Sequence, residues 1–112
     1  MLSKDRHALE SIIESIDKIT SYIKDFSNPD QFNDDQLSFD AVLMNFIIIG
    51  EMVAKLSEDF KSNHGSIEWT KIKGFRNLVA HDYFGIDAEE VWQIVKNDLP
   101  SLKKKIKEIL KS

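Results

Sequence analysis

Residues 76–85 carry the densest set of chemically capable side chains in this chain of 112 residues. Arg76 supplies a permanent cation, Asn77 an amide, and His81 a group that exchanges protons near neutral pH. Without a metal, this set suits RNA strand transfer, in which a ribose 2′-OH attacks the adjacent phosphate. His81 would move the proton and Arg76 would stabilise charge on the phosphate oxygens, giving a 2′,3′-cyclic phosphate and a 5′-OH.

Helical geometry decides which of these side chains can meet. Asn77 and His81 lie one turn apart on one face, so the amide can hydrogen-bond an imidazole nitrogen. Arg76 and His81 are five residues apart and point about 140° apart on a straight helix. They converge if the helix bends or ends near Ala80, or if a second copy faces the first across a dimer axis. Tyr83 shares the stripe of Arg76.

The elements that would position this segment are amphipathic helices. Apolar residues recur at helical spacing over residues 9–26, and Pro29 can open a short helix through about residue 34. A long helix is expected over residues 35–61, where the apolar pattern continues without a turn signal. Its run 41–49 is apolar nearly all round, which indicates burial in the core or in a subunit interface. That run is too short to span a bilayer.

The second half of the chain also has a helical pattern. Ser66 can cap the helix that carries the motif, which is expected to end at Gly85, and Asp87 can cap the next helix. Pro100 is expected to break or kink the chain before a last amphipathic helix. His64 is expected to be exposed in a loop. The sequence therefore predicts an all-α protein with a single domain over residues 1–112.

The composition limits the function classes. The net charge of −4 counts against extensive nucleic-acid binding, although it leaves room for a local basic site. With no cysteine and no signal-peptide pattern, a cytoplasmic protein without membrane contact is expected. The histidines are too scattered for a metal site, and neither a metal nor another cofactor is expected. One positive patch near the motif is expected from Lys61, Lys71, Lys73 and Arg76.

The motif Arg76-x4-His81-x-Tyr83, with Asn77 after the arginine and Phe-Gly after the tyrosine, resembles the signature of the HEPN superfamily. More narrowly, it resembles the HepT toxins that are paired with minimal nucleotidyltransferase (MNT) antitoxins. The likeness extends to residues 69–75 before the motif, to residues 86–100 after it, and to the Ile-Gly-Glu run at residues 49–51.

The resemblance implies a homodimeric HEPN-type up-and-down bundle of four to five helices. It implies the toxin of a type VII toxin–antitoxin system, a metal-independent endoribonuclease that cleaves tRNA or mRNA. Arg76, Asn77 and His81 would be catalytic, and Glu51 is a possible cleft residue. Tyr83 would be the acceptor of AMP groups that the MNT antitoxin transfers, and this modification would neutralise the toxin.

Other interpretations remain open. The same bundle could be a non-catalytic binding subunit that partners a minimal nucleotidyltransferase, and the acidic charge favours this slightly. It could also be a merely structural helical dimer. For single residues, Glu51 could be a solvated or salt-bridged carboxylate, and Tyr83 could be a core-edge tyrosine with a satisfied hydroxyl.

Overall fold

The computed structural model describes residues 1–111, and these residues contain no β-strand, which confirms the all-α prediction. The bundle has four long elements: three single helices, and two further helices joined end to end by a π-helical turn. This number agrees with the predicted four to five helices. The helices are α1 (Ser3–Ile23), α2 (Pro29–Asp34), α3 (Gln36–Lys55), α4 (Glu58–Asn63), α5 (Trp69–Asp82), α6 (Ala88–Gln93) and α7 (Leu99–Lys111). A 3₁₀ turn, Tyr83–Gly85, follows α5, and the π-helical turn is Ile94–Asp98.

The central helix is α3, which packs against α1 on one side and α5 on the other. Asp5, near the start of α1, bonds Ser57, just past the end of α3, so these helices are antiparallel. Tyr83, just past the end of α5, bonds Asp40 near the start of α3, so α5 is antiparallel to α3 as well. The three helices therefore alternate in direction, as in an up-and-down bundle.

Aromatic side chains lock the motif helix onto this core. Phe46 on α3 stacks with Phe75 on α5 at a centroid distance of 5.2 Å, and both rings are buried. Phe32 on α2 packs against Trp92 on α6 at 6.0 Å, which joins the two short helices. Because Phe75 is anchored in this way, the residue that follows it, Arg76, is fixed at the edge of the core.

The long helix predicted over residues 35–61 is wrong in its second part, because α3 ends at Lys55 and α4 begins at Glu58. Ser57 caps α4 by accepting a hydrogen bond from the Phe60 N–H at 3.2 Å. The buried carboxylate of Asp5 fixes the break, since it accepts from the Ser57 N–H at 2.8 Å and from the Ser57 hydroxyl at 2.7 Å. Apolar residues continue at helical spacing through the break, so the sequence pattern does not reveal where α3 ends.

Of the break or kink predicted at Pro100, the break is absent. Pro100 is the second residue of α7, and the helical chain continues through it from α6. A proline in a helix lacks the N–H that would bond the carbonyl four residues earlier, and its ring crowds that carbonyl. The π-helical turn immediately before Pro100 relieves this conflict by widening the helix locally.

The connection between α4 and α5 is more ordered than the sequence indicates. His64 is half-buried, not exposed, and its ring lies 4.5 Å from that of Phe60. Its carbonyl accepts a hydrogen bond from the indole N–H of Trp69 at 3.1 Å. The residue before α5 is Glu68, so the predicted cap at Ser66 is also wrong.

One side of α3 stays open. By length and composition alone, this helix would be long and apolar enough to cross a membrane, although the run 41–49 is shorter. Less than half of its most apolar stretch is buried within the chain. Leu37 is 87% exposed and Met44 is 57% exposed. Asp40 and Glu51 lie on the same stripe, so α3 presents an apolar surface with a carboxylate towards each end.

Candidate active site

The predicted catalytic residues lie on one uninterrupted helix. Arg76, Asn77 and His81 all belong to α5, which runs two residues past Ala80 before it ends. The helix therefore does not end early enough to bring Arg76 and His81 together, and they point about 140° apart around its axis. Convergence through the approach of a second copy stays a prediction.

Arg76 is held by a carboxylate of the neighbouring helix. Its Nη1 lies 3.0 Å from Oε1 of Glu51, and the side chains are 33% and 46% exposed, respectively. Glu51 is therefore salt-bridged, as one interpretation of the sequence predicted, and its partner is a residue of the motif. Its role as a cleft residue stays a prediction. A guanidinium has five N–H donors, so the bond to Glu51 leaves others for an anion.

Gly50 allows the close approach of α3 to α5 at this point. A Cβ atom at Gly50 would lie 2.7 Å from the Cβ of Arg76 and 3.1 Å from both the Arg76 nitrogen and the Lys73 carbonyl oxygen. Any larger residue would therefore push the two helices apart where the guanidinium meets Glu51. In the Ile-Gly-Glu run, Gly50 therefore leaves room for Arg76, and Glu51 forms the salt bridge with it.

Asn77 and His81 are exposed, and within the described residues neither side chain makes a hydrogen bond. The predicted bond from the Asn77 amide to the His81 ring is therefore absent, and no side chain fixes the tautomer of His81. Ala80, between them on the same helix, is exposed as well. Both polar side chains are free to engage a ligand or a partner surface.

Tyr83 is tied to α3. Its hydroxyl donates a hydrogen bond to Oδ1 of Asp40 at 2.6 Å, and its ring stacks with that of Phe84 at a centroid distance of 5.1 Å. Tyr83 is 38% exposed, so the hydroxyl is satisfied although the residue remains accessible. Its pKa is raised, chiefly by the bond to Asp40, then by partial desolvation and the nearby negative charge.

Sequence reasoning missed Asp40. The signal that could have found it is its spacing of eleven residues before Glu51, which places both carboxylates on one stripe of a helix, about 20° apart. Because α5 runs antiparallel beside that stripe, Glu51 meets Arg76 on α5, and Asp40 meets Tyr83 in the turn that follows α5. Asp82 is exposed, with its carboxylate beside Gly85.

An apolar surface surrounds these polar contacts. Phe84 is fully exposed, and Leu37 and Met44 on α3 are also exposed. Ile48 is half-buried on the same side of α3. We call this surface, together with the motif side chains, the α3–α5 face; it consists of Leu37, Asp40, Met44, Ile48, Glu51, Arg76, Asn77, Ala80, His81, Tyr83 and Phe84.

The positive patch predicted near the motif is largely neutralised. Lys61 pairs with Glu58 at 3.0 Å, and Lys71 lies 3.5 Å from Asp98. Arg76 is paired with Glu51, as described above. Lys73 is exposed, and no carboxylate pairs with it in the described part of the chain. In residues 1–111, no group of three or more His, Asp and Glu side chains is arranged to hold a metal ion.

Together, these features define an all-α bundle that presents Arg76, Asn77 and His81 on one helix. The model of the ribonuclease HepT-like family matches residues 12–109, and this chain belongs to that family.

Curated relatives carry ribonuclease names. "Probable ribonuclease HepT" of Thermococcus cleftensis is 36% identical over 103 residues, which are 92% of this chain and 93% of that protein. "Putative RNase TTE0752" of Caldanaerobacter subterraneus is 32% identical over 105 residues, 94% of this chain and 93% of the relative.

A third relative is longer. "Gamma-glutamylcyclotransferase and putative RNase MJ0434" of Methanocaldococcus jannaschii is 36% identical over 102 residues, 91% of this chain. The match covers 46% of that relative, so the chain spans about half its length. No solved structure matches the chain significantly.

Proposed function

We propose that this protein is the toxin of a type VII (HepT/MNT) toxin–antitoxin pair, a homodimeric, metal-independent endoribonuclease that cleaves tRNA or mRNA in the cytoplasm. The observation that carries the proposal is the setting of Arg76. Its guanidinium is held by Glu51 through one N–H group, its side chain is 33% exposed, and it lies on the same helix as the exposed His81. The bond to Glu51 therefore orients Arg76 and leaves its other N–H donors available for a phosphate.

The cleavage needs only groups that this chain supplies. Neutral His81 takes the proton of the ribose 2′-OH as the 2′ oxygen forms a bond to phosphorus. The bond from phosphorus to the 5′ oxygen breaks, and that oxygen takes a proton from an imidazolium, either the same His81 or that of the second copy. Arg76 donates to the phosphate oxygens as negative charge builds on them, and Asn77 is placed to hold an oxygen or the imidazole. The products are a 2′,3′-cyclic phosphate and a 5′-OH.

A homodimer through the α3–α5 face is part of the proposal. On one copy, Arg76 and His81 diverge around α5, so a single chain does not aim both at one phosphate. Leu37, Met44 and Phe84 leave apolar area open beside them, which favours burial against a second copy. An isologous contact would bring two copies of each motif residue around one cleft.

The proposed antitoxin is a minimal nucleotidyltransferase that transfers AMP groups to Tyr83. Tyr83 is accessible, and it lies in the 3₁₀ turn after α5, seven residues beyond Arg76. A phosphodiester on the phenol would bring negative charge to this end of α5, where it would compete with RNA for the guanidinium. This charge pairing supplies a physical reason for neutralisation.

The test is cleavage of total tRNA in excess EDTA by unmodified protein, whose mass is verified first. We expect the wild type to cut and to leave cyclic-phosphate ends, and His81→Ala to cut at least about 100-fold more slowly, because it lacks the proton carrier. His7→Ala removes another exposed histidine and is the matched control, expected to cut like the wild type. Intact RNA after treatment with clean, dimeric, unmodified wild type would contradict the proposal.

A second candidate is the non-catalytic binding subunit of a nucleotidyltransferase. The pairing of Lys61, Lys71 and Arg76 with carboxylates favours it, because little free positive charge is left near the motif for RNA. This candidate predicts that His81→Ala changes neither RNA cleavage nor growth when the protein is expressed. The same assay therefore separates the two.

A further inference from the structure

The hydroxyl of Tyr83 is held by a residue from another helix. It donates to Oδ1 of Asp40 at 2.6 Å, and this oxygen also accepts from Nε2 of Gln36 at 2.8 Å. Stacking on Phe84 fixes the ring at a second point. The phenol is thus aimed at one carboxylate oxygen while it stays accessible from outside.

This bond affects how well Tyr83 can act as a nucleophile. Asp40 favours the neutral phenol, since the hydrogen bond and the negative charge both raise the pKa of Tyr83. A neutral phenol attacks phosphorus poorly unless a base takes its proton as the new bond forms. Asp82, the neighbouring residue, has its carboxylate beside Gly85. In the described part of the chain, Asp40 is the group that bonds the phenol.

We propose that Asp40 is the base that orients Tyr83 and takes its proton during nucleotidyl transfer, an inference that rests on the proposed modification of Tyr83. The phenol oxygen forms a bond to the α-phosphorus of a nucleoside triphosphate, which the partner nucleotidyltransferase supplies. The bond from the α-phosphorus to the bridging oxygen breaks, and pyrophosphate leaves. The phenol proton passes to Oδ1 of Asp40. The acceptor protein therefore contributes a catalytic residue to its own modification.

Protein kinases use a carboxylate in the same way, to accept the proton of the substrate hydroxyl in phosphoryl transfer. Here the carboxylate would belong to the protein that is modified. After transfer, the oxygen of Tyr83 has no proton to donate, and the new phosphodiester charge repels Asp40. The modified side chain would therefore leave Asp40, so the cross-helix bond exists only in the unmodified state.

The experiment measures single-turnover modification of Tyr83 by intact mass, with Mg-ATP and a minimal nucleotidyltransferase as the proposed partner, over a range of pH. We expect Asp40→Asn to slow modification by at least about 100-fold at neutral pH, with a rate that rises about tenfold per pH unit as hydroxide replaces the base. The wild-type rate should depend far less on pH. Gln36→Ala, which removes the other hydrogen bond to Asp40 but keeps the carboxylate, is the matched control and should resemble the wild type.

A second measurement needs no partner. In a Tyr22→Phe background, Tyr83 is the remaining tyrosine, and its ionisation can be followed by ultraviolet absorbance. Asp40→Asn should lower the pKa of Tyr83, because the carboxylate that favours the neutral phenol is gone. An unchanged pKa would overturn the inference, since the phenol would then not be bonded to Asp40 in solution.

The outcomes separate the inference from the proposed function. If the wild type is modified and Asp40→Asn is modified at the same rate with the same pH profile, Asp40 is not the base and the proposed function stands. If the wild type is not modified at Tyr83, both the antitoxin part of the proposed function and the inference fail. A slow Asp40→Asn variant with a wild-type pH profile would indicate a merely structural role and would also overturn the inference.

Discussion

Asp5 is a buried carboxylate whose effect on the fold depends on its charge. It is 2% exposed and accepts two hydrogen bonds from Ser57. Burial alone would raise its pKa, but the Ser57 N–H and hydroxyl favour the ionised form and hold the pKa below the ordinary value of 3.8. A carboxylate whose pKa is depressed in the folded state stabilises the protein above its unfolded pKa, and this stabilisation is lost as pH falls through the folded value.

We therefore expect Asp5→Asn to lower the free energy of unfolding by about 1–3 kcal/mol at neutral pH, where the charged acceptor is lost. The difference from the wild type should shrink as the pH falls below 3.8. Urea denaturation at a series of pH values measures both effects. Asp25→Asn, at an exposed carboxylate, is the control and should unfold like the wild type. A difference that stays constant down to strongly acidic pH would contradict this account.

At the scale of elements, the contact of α3 with α5 controls where Arg76 sits. Two glycines lie near this contact and differ in their surroundings. A Cβ atom at Gly50 would collide with Arg76, whereas a Cβ atom at Gly74 on α5 would have no atom within 4 Å. The two positions therefore allow the same substitution to be compared with and without a steric conflict.

Gly50→Ala should destabilise the protein by about 1–3 kcal/mol, because the helices must separate to accept the methyl group. Gly74→Ala should instead stabilise it by about 0.5–1 kcal/mol, since alanine is the better residue inside a helix. Thermal or urea denaturation gives both values, and the tRNA assay should show slower cleavage for Gly50→Ala alone. Equal stability of the two variants would mean that the close approach at Gly50 does not exist in solution.

At the scale of the whole molecule, the proposed homodimer would share its active site between the two copies, because Arg76 and His81 diverge around α5 in one copy. Shared sites can be tested by mixing two inactive variants. Arg76→Ala and His81→Ala each remove one group, and a mixed dimer retains one Arg76 and one His81 on different chains. If the two residues act across the dimer axis, that dimer holds one intact site.

Mixing equal amounts of Arg76→Ala and His81→Ala under conditions of subunit exchange should restore up to about one quarter of the wild-type cleavage rate, as expected for an isologous dimer. The rate of tRNA cleavage in excess EDTA measures the recovery. Each variant mixed with itself is the control and should stay inactive. No recovery, although mass measurements show that mixed dimers have formed, would place Arg76 and His81 in the same chain's site.

The amino-acid sequence by itself determined the all-α class and the family. Helical periodicity is a local property, so the all-α fold could be predicted, and the motif on α5 could be found without coordinates. Asp87 was predicted correctly as a cap because a cap bonds the backbone of its own helix, here the Glu89 N–H at 3.0 Å. The motif could also be found because its residues are close together in the sequence. Their catalytic roles stay predictions.

Only the tertiary structure decided which partners these residues have. Glu51 and Arg76 are 25 residues apart, Asp40 and Tyr83 are 43 apart, and Asp5 lies 52 residues before Ser57. Such contacts depend on how antiparallel helices align, and no short-range pattern encodes that alignment. For the same reason the end of α3 at Lys55 was missed, since the side chain that fixes it comes from the start of α1.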